Sequence, residues 1–507
     1  MFDVIISALG HVLTFPVIFA MVIGVAGGIC IGALPGLTAT LGIAVLIPVT
    51  FSLEPLMGLG MIAGIYQGAM YGGAIPAVLL RIPGTPAAIA TTFDGYPMAQ
   101  RGEAAYALRV ALVSSSIGGV VSALVLMTLA PPLARFALSF GPAEYFMLAV
   151  FGLASISVLL GDDPVKGMLS ACFGLFIGVV GIDPTSGHER YTFDSMHLLS
   201  GFDMVVLLTG LYAIPPALIM AEQAVKHGAS GDLLVLNRSR IRLRDWLMFW
   251  KTWTRASIIG CIVGIIPGAG GNIAAFLAWN EEKRSSRNPQ DFGKGEPRGL
   301  AAAECANNGD SSTALIPALT LGVPGNAVSA VILGGLLVHG MQPGPGLFRE
   351  NPDVIYGFML QMLLTAGIMF VLGRFGARLF IQVLRVPPVL LTTMLVPMTF
   401  IGAYAIQNSV FDIWMCLAFG IIGYAMEKLD IPVAPAVLAV ILGPMAEVNL
   451  RRGLLIHKND YMFIVERPIS LVIVLLTVLV LVFPLIRLVR KRRSRPPVMT
   501  EAEQTRQ

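Results

Sequence analysis

"GIIPGAGGNIAAF", residues 264–276, lies inside a run of 24 residues, Ala256 to Trp279, with no charged side chain. A run that long and apolar reads as a membrane span. Yet its middle carries Pro267 with Gly268, Gly270 and Gly271. Proline lacks a backbone N–H and clashes with the preceding turn, and glycine is a poor helix former. In hydrocarbon every unpaired amide is costly, so broken backbone is tolerated at that depth only where it is buried in protein or lines a wet cavity. The stretch therefore predicts two helical arms joined by a break.

Composition sets the class. The chain has 507 residues, 56% hydrophobic and 13% charged, against roughly 25% charged for a soluble domain. Apolar runs near the length of a span recur along it, which predicts an all-α polytopic membrane protein. The net charge of +4 gives no sign of nucleic acid binding, because the basic residues sit in short loops and in the tail "RLVRKRRSR". Cys30, Cys172, Cys261, Cys305 and Cys416 are scattered singly among apolar neighbours. Neither a disulfide framework nor a metal site is expected. "MFDVIISALGHVLTFP" has no Lys or Arg ahead of its apolar run, so it reads as the start of a first span rather than a cleaved signal.

The opening stretch has a twin. "GICIGALPGLTAT" (28–40) aligns without a gap with "GCIVGIIPGAGGN" (260–272), pairing Gly28, Gly32, Pro35 and Gly36 with Gly260, Gly264, Pro267 and Gly268. Further on, "IPAVLLRIPGTPAA" (75–88) aligns with "IPALTLGVPGNAVS" (316–329), pairing Pro83-Gly84 with Pro324-Gly325. The offsets are 232 and 241, and the charged loop 280–298 absorbs the difference. Two collinear blocks define an internal repeat. Glycines at 24, 28, 32 and 36 also suit a close-packing helix face, but that alone leaves Pro35 and Pro267 unexplained.

Loop charges orient the repeats, since cytoplasmic loops are enriched in Lys and Arg. Both flanks of 256–279 are basic, which predicts a re-entrant hairpin entered and left from the cytoplasm, with its tip near Pro267–Asn272. The segment 50–55 has one glutamate and no basic residue, and reads as external. The loop carrying Arg101 and Arg109 reads as cytoplasmic, and so does the C-terminal tail. The two repeats then enter from opposite sides. Arg451-Arg452 fall on the external side and break the rule. The organisation expected is a first repeat core (1–110), scaffold helices (111–235), a second repeat core (236–345), further scaffold helices (346–487) and a basic cytoplasmic tail (488–507). Inverted repeats with re-entrant hairpins and discontinuous helices are the sequence pointer to a secondary transporter. Freed N–H groups at helix starts attract anions, while freed carbonyls suit cations.

At these residues the sequence resembles the large membrane subunit of the tripartite tricarboxylate transporters, the TctA family. The resemblance runs from about Pro16 to Pro484. It rests on "GALPGLTATLGIAVLIPVTF", "MYGGAIPAVLLRIPGTPAAIATTFDGYPMAQRGEA", "GIIPGAGGNIAAFLAW" and "ECANNGDSSTALIPALTLGVPGNAVSAVILGGLLVHGMQPGP", with "GIDPTSGHERYTF" in support. It implies a subunit of a bacterial inner-membrane symport system for carboxylates, driven by a coupling cation, Na⁺ or H⁺, with no tightly bound cofactor. The implied partners are a small membrane subunit, a periplasmic solute-binding protein, the carboxylate and membrane lipid. Homo-oligomerisation is left open. This chain departs from the family pattern at Ala74, where Ser is usual, at Arg81, where Asn is usual, and at Asp310, where a small residue is usual.

Arg81 is a full charge beside an unwinding Pro-Gly, hence a candidate for substrate contact or for a structural pair with Asp310. Pro83, Gly84 and Thr85 at the first break are expected to bind substrate with it. So are Asn307, Asn308, Ser311 and Ser312, together with Pro324, Gly325 and Asn326 at the second. The alternative for the polar run is a hydrogen-bonded helix contact. Thr38, Thr40 and Asn272 at the hairpin tips have the same two readings. Asp310 and Thr313 are the candidates for coupling a cation. Asp162-Asp163 reads as ordinary loop polarity. An intramembrane enzyme acting on a lipid-linked acid is the competing class, but no HExxH, paired DDxxD or Walker pattern supports it.

Overall fold

The fold is described from a computed structural model covering residues 2–34, 36–159, 164–183, 186–226, 243–384, 386 and 388–493. Pro35, Asp162, Asp163, the basic stretch 237–242 and the tail from 494 onward lie outside the described residues. Among the described residues the protein is all-α apart from one two-stranded ribbon, β1 (Gly181–Ile182) with β2 (Glu189–Arg190). Among the described residues, six helical segments are long and apolar enough to cross a membrane.

The first repeat begins with α1 (Phe2–Val12), α2 (Phe15–Ala33) and α3 (Ala39–Phe51). It continues with α4 (Pro55–Gly72) and α5 (Ala74–Leu80), a break, then α6 (Ile89–Met98) and α7 (Ala104–Ala137). Helices α8 (Pro142–Leu159), α9 (Pro164–Gly178) and α10 (Met204–Lys226) follow. The second repeat contains α11 (Leu243–Ile265), α12 (Gly270–Ser285), α13 (Pro297–Thr313), α14 (Leu315–Leu321), a break and α15 (Ala327–Val338). One-turn α16 (Leu347–Glu350) leads to α17 (Pro352–Val383), α18 (Pro388–Gln407), α19 (Val410–Lys428) and α20 (Ala434–Ile456). One-turn α21 (Phe463–Glu466) precedes α22 (Pro468–Arg493).

The apolar run 256–279 is a helical hairpin. The chain turns between Ile265 and Gly270, with Gly268 and Gly270 at φ +82° and +66°. Near the other ends of the two arms, Thr252 Oγ1 donates to Glu282 (2.9 Å) and Arg255 pairs with Glu282 at 2.8 Å. Both arms therefore open at one end of the molecule. In the first repeat, α2 and α3 turn similarly through Gly36, at φ +87°.

Close packing locks each hairpin to the next helix. A Cβ at Gly28 would run into the backbone of Ile65, and α4 answers with Gly64, Gly68 and Gly72 against α2. Small faces of this kind let two helix backbones approach where lipid supplies no hydrophobic drive. The contact joins Gly24 to Met61, Gly28 to Ile65 and Gly32 to Ala69, so α2 and α4 run parallel. The second repeat packs the same way, Gly260 on Ala306 and Gly264 on Asp310.

The repeats are inverted. Gln67 of α4 meets Ser311 and Ser312 of α13, while Met70 one turn later meets Asn307. The sequence numbers rise on one helix as they fall on the other, so equivalent helices cross antiparallel. α7 runs with α13, joined through Ser115 to Glu304 and Ser122 to Asn308. At the start of α7, Arg101 Nη2 donates to the Gly295 carbonyl (2.6 Å), which brings together the two loops read as cytoplasmic. That end also carries Lys283, Arg284, Arg287, Lys294 and Arg298.

The two arginines that break the charge rule have a local explanation in part. Arg451 near the end of α20 pairs with Asp183 (2.9 Å) and Glu447 (2.6 Å). Arg190 of β2 joins both carboxylates at 2.6 and 2.9 Å. Hydrogen bonds to Glu447 and Asp183 hold the Arg190 guanidinium above its ordinary pKa. The charge of Arg451 is thus neutralised within one network.

Candidate functional site

The site centres on α13 and on the two breaks. Pro297 opens α13, and the Glu296 side chain caps it by accepting the Arg298 N–H. A second carboxylate anchors the loop before it. Asp94 of α6, fully buried, accepts the N–H groups of Gly293, Gly295 and Glu296 on Oδ1 (2.8–2.9 Å) and the Trp279 indole N–H on Oδ2 (2.7 Å). A carboxylate held by backbone donors is a strong, charge-assisted arrangement. It joins the first repeat to the start of the helix that carries the second repeat's polar run.

That run is buried throughout: Glu304, Asn307, Asn308, Asp310, Ser311, Ser312 and Thr313 are all fully covered. Glu304 faces α6 and α7, where it accepts from the Thr91 hydroxyl and from Ser115 Oγ (2.8 Å). Ser311 and Ser312 face Gln67. Ser311 and Thr313 also return their hydroxyls to carbonyls of their own helix. Asp310 faces the second break and the tip of the second hairpin.

The breaks are built alike. Gly84 N–H donates to the Gly73 carbonyl (3.3 Å), and Gly325 N–H to the Ala314 carbonyl (3.2 Å). A Cβ on Gly84 would strike the Gly32 carbonyl, and one on Gly325 the Gly264 carbonyl. Arg81 and Gly322 end their helices in the same left-handed conformation, at φ +60° and +73°. All of these pairs are the ones that the repeat alignment matches.

The breaks differ in their caps. Asn326 starts α15 with a full capping box: its Oδ1 accepts Ser329 N–H (2.8 Å), and Ser329 Oγ accepts Asn326 N–H (2.9 Å). Its Nδ2 donates to Asp310 Oδ2 (2.8 Å) and to Tyr66 Oη (2.9 Å). Gly271 at the hairpin tip lies beside the Asp310 carboxylate, where an added Cβ would sit 3.4 Å from Oδ2. Gly268 N–H ties the hairpin tip to the Gly325 carbonyl (2.7 Å). At the equivalent place Thr85 is 4% exposed, and its Oγ1 has no hydrogen-bond partner among the described residues. Asn307 Oδ1, Asn308 Oδ1 and Asp310 Oδ1 are unpartnered in the same way. Buried polar atoms without partners are few in folded proteins, and they cluster here.

The structure gathers Asn307, Asn308, Asp310, Ser311, Ser312, Thr313, Asn326, Gly271, Gly325 and the buried Pro324 at this centre. Pro83 and Pro267 are half-buried beside their breaks, and Gly84 and Thr85 are buried. Three expected residues serve otherwise or stand apart. Thr38 caps α3 by accepting the Leu41 N–H (3.3 Å), Thr40 is buried on the first turn of α3, and Asn272 is exposed. Arg81 forms no pair with Asp310. It is exposed, with its guanidinium 5.8 Å from the Tyr96 ring centroid. The left-handed cap turns it away from the core, a consequence of the turn that runs of residue type do not reveal. Tyr66, Gln67 and Glu304 were missed by the sequence reading. Tyr66 and Gln67 were visible as a polar pair on an otherwise small or apolar helix, and Glu304 as a carboxylate opening the polar run of α13, which is the signal for a buried partner.

A multi-pass membrane protein with two inverted, broken-helix repeats meeting at a buried polar centre has the architecture of a secondary transporter. The sequence profile described as the tripartite tricarboxylate transporter TctA family matches residues 18–438, and the chain belongs to that family. A relative from Agrobacterium vitis, described as an uncharacterized 52.8 kDa protein in the TAR-I ttuC' 3' region, is 35% identical over 473 residues, covering 93% of this chain and 94% of the relative. A second protein from the same organism, from the TAR-II ttuC' 3' region, is 32% identical over 235 residues, 46% of this chain and 97% of its own length. The family is one of transporters, which sets aside the enzyme reading.

Proposed function

We propose that this chain is the translocating subunit of a binding-protein-dependent uptake system for carboxylates, seated in the bacterial inner membrane with a cytoplasmic C-terminus. A small membrane subunit and a periplasmic solute-binding protein complete the system, and a Na⁺ or H⁺ gradient drives it. The observation that carries this reading is the meeting of two inverted, broken-helix repeats at one buried polar centre. Helix starts after each break direct N–H dipoles at an anion, and the unpartnered oxygens of Asn307, Asn308 and Asp310 offer positions for a cation. The basic end that holds Arg101 and Lys283 supports its placement in the cytoplasm. Arg81, exposed beyond the first break, raises the local anion concentration through its field rather than through a buried pair.

The test is uptake of radiolabelled carboxylates into proteoliposomes holding both membrane subunits, with the binding protein outside. Uptake is expected only with all components present and an inward Na⁺ or H⁺ gradient. Uptake indifferent to both gradients, or no uptake of any carboxylate, would overturn the proposal.

A further inference from the structure

The two halves of the centre are matched in backbone and unmatched in charge. In the second half a carboxylate of the protein itself occupies the donor: Asp310 takes the Asn326 amide and lies against Gly271 at the first turn of α12. In the first half the residue equivalent to Asp310 is Ala69, which brings no charge. There Thr85, equivalent to Asn326, caps nothing with its side chain, and its buried hydroxyl is unpartnered. It sits at the start of a helical segment that runs from Pro86 through Met98. The halves share a wall, because α12 and α13 both pack against the Pro86–Ala88 turn.

We propose, building on the transport reading above, that Asp310 is a tethered carboxylate filling one of two equivalent anion positions, and that this chain carries acids presenting a single carboxylate. The substrate carboxylate docks at the first break, on Thr85 Oγ1 and the helix start behind it. Its remainder faces the second half, where Asp310 already holds the Asn326 amide. A second carboxylate there would have to displace Asp310 from that donor. The Asn326 amide is thus held by a group of the protein itself, which stays in place whether or not a ligand is bound.

The experiment measures binding to the full-length chain in lipid nanodiscs by calorimetry. The probes are butyrate, succinate and propane-1,2,3-tricarboxylate, with one, two and three carboxylates. Wild type should bind butyrate at least tenfold more tightly than succinate, with the tricarboxylate weaker still. Asp310→Ala, which copies Ala69 of the first half, should tighten succinate at least tenfold and change butyrate by less than threefold. Asp310→Asn keeps an oxygen on the Asn326 donor, so it should gain succinate affinity by less than Asp310→Ala. Tighter binding of succinate or the tricarboxylate by wild type overturns the proposal without any variant, so a poorly folded variant does not protect it. An unchanged succinate-to-butyrate ratio in folded Asp310→Ala overturns it too. If wild type neither binds nor carries any carboxylate, the transport reading itself fails.

Discussion

The first and second repeats share a backbone plan and divide the chemistry between them. The first contributes glycines on both sides of its α2–α4 contact, a tyrosine and a glutamine on α4, and Asp94 as an anchor. The second contributes a buried polar helix with two carboxylates, Glu304 and Asp310, where the first has Ala63 and Ala69. One copy therefore packs tightly and the other holds charge. An inverted pair need not stay chemically symmetric, because pseudo-symmetry constrains where the breaks meet and leaves the side chains at the meeting point free to differ.

Asp94 reaches from the first repeat into the second, and no carboxylate stands at the equivalent Gly335 to reach back. Asp94→Ala leaves four donors unanswered, and the two buried ones, Gly295 N–H and the Trp279 indole, each cost about 1–3 kcal/mol. It should give the largest loss of thermal stability, and the 291–297 loop should become protease-sensitive. A stable variant with a protected loop would mean that the repeats are held together elsewhere.

The glycine contacts come next. Gly28→Ala places a methyl against the Ile65 backbone, which cannot rotate away. Overpacking of this sort costs about 1–3 kcal/mol. Gly260→Ala meets Ala306 with slightly more room, and should cost less. Melting in detergent compares the two, and equal or reversed losses would remove the packing difference between the halves.

The caps should separate more mildly. Asn326→Ala removes a capping box, worth about 1 kcal/mol, and orphans Asp310. Thr85→Ala removes a hydroxyl with no partner and should shift stability by less than about 0.5 kcal/mol. Under the transport proposal, Thr85→Ala should nonetheless weaken substrate binding. A larger stability loss at Thr85 than at Asn326 would contradict the assignment of the open half. Arg81→Gly, which copies Gly322, is as mild. It relieves a left-handed side-chain residue but loosens the unfolded chain, so stability should move by about 1 kcal/mol or less.

Much of this was legible from residue type and spacing. Pro267 with its glycines located the hairpin turn, and the paired Pro-Gly blocks located both breaks, because proline and glycine act through the local backbone. The polar run 307–313 announced itself as polarity in an apolar context. What was hidden depends on direction. The exposure of Arg81 follows from one left-handed φ, which no spacing encodes. The engagement of Asn326 with Asp310 requires knowing that the hairpin tip and the break meet. Asp94 was quoted within a motif, but its role needs the loop at 293–296, almost two hundred residues away, to fold back onto it.

Opposite insertion of the two repeats underlies everything above, and sided labelling tests it directly. Ser52 follows the first hairpin and Ser285 the second, and both are exposed. Ser52→Cys and Ser285→Cys are each placed in a version lacking the five native cysteines. A membrane-impermeant thiol reagent added to intact cells should label residue 52, and should reach residue 285 only in inside-out vesicles. Labelling of both positions from the same side would contradict the inverted arrangement and the shared centre built on it.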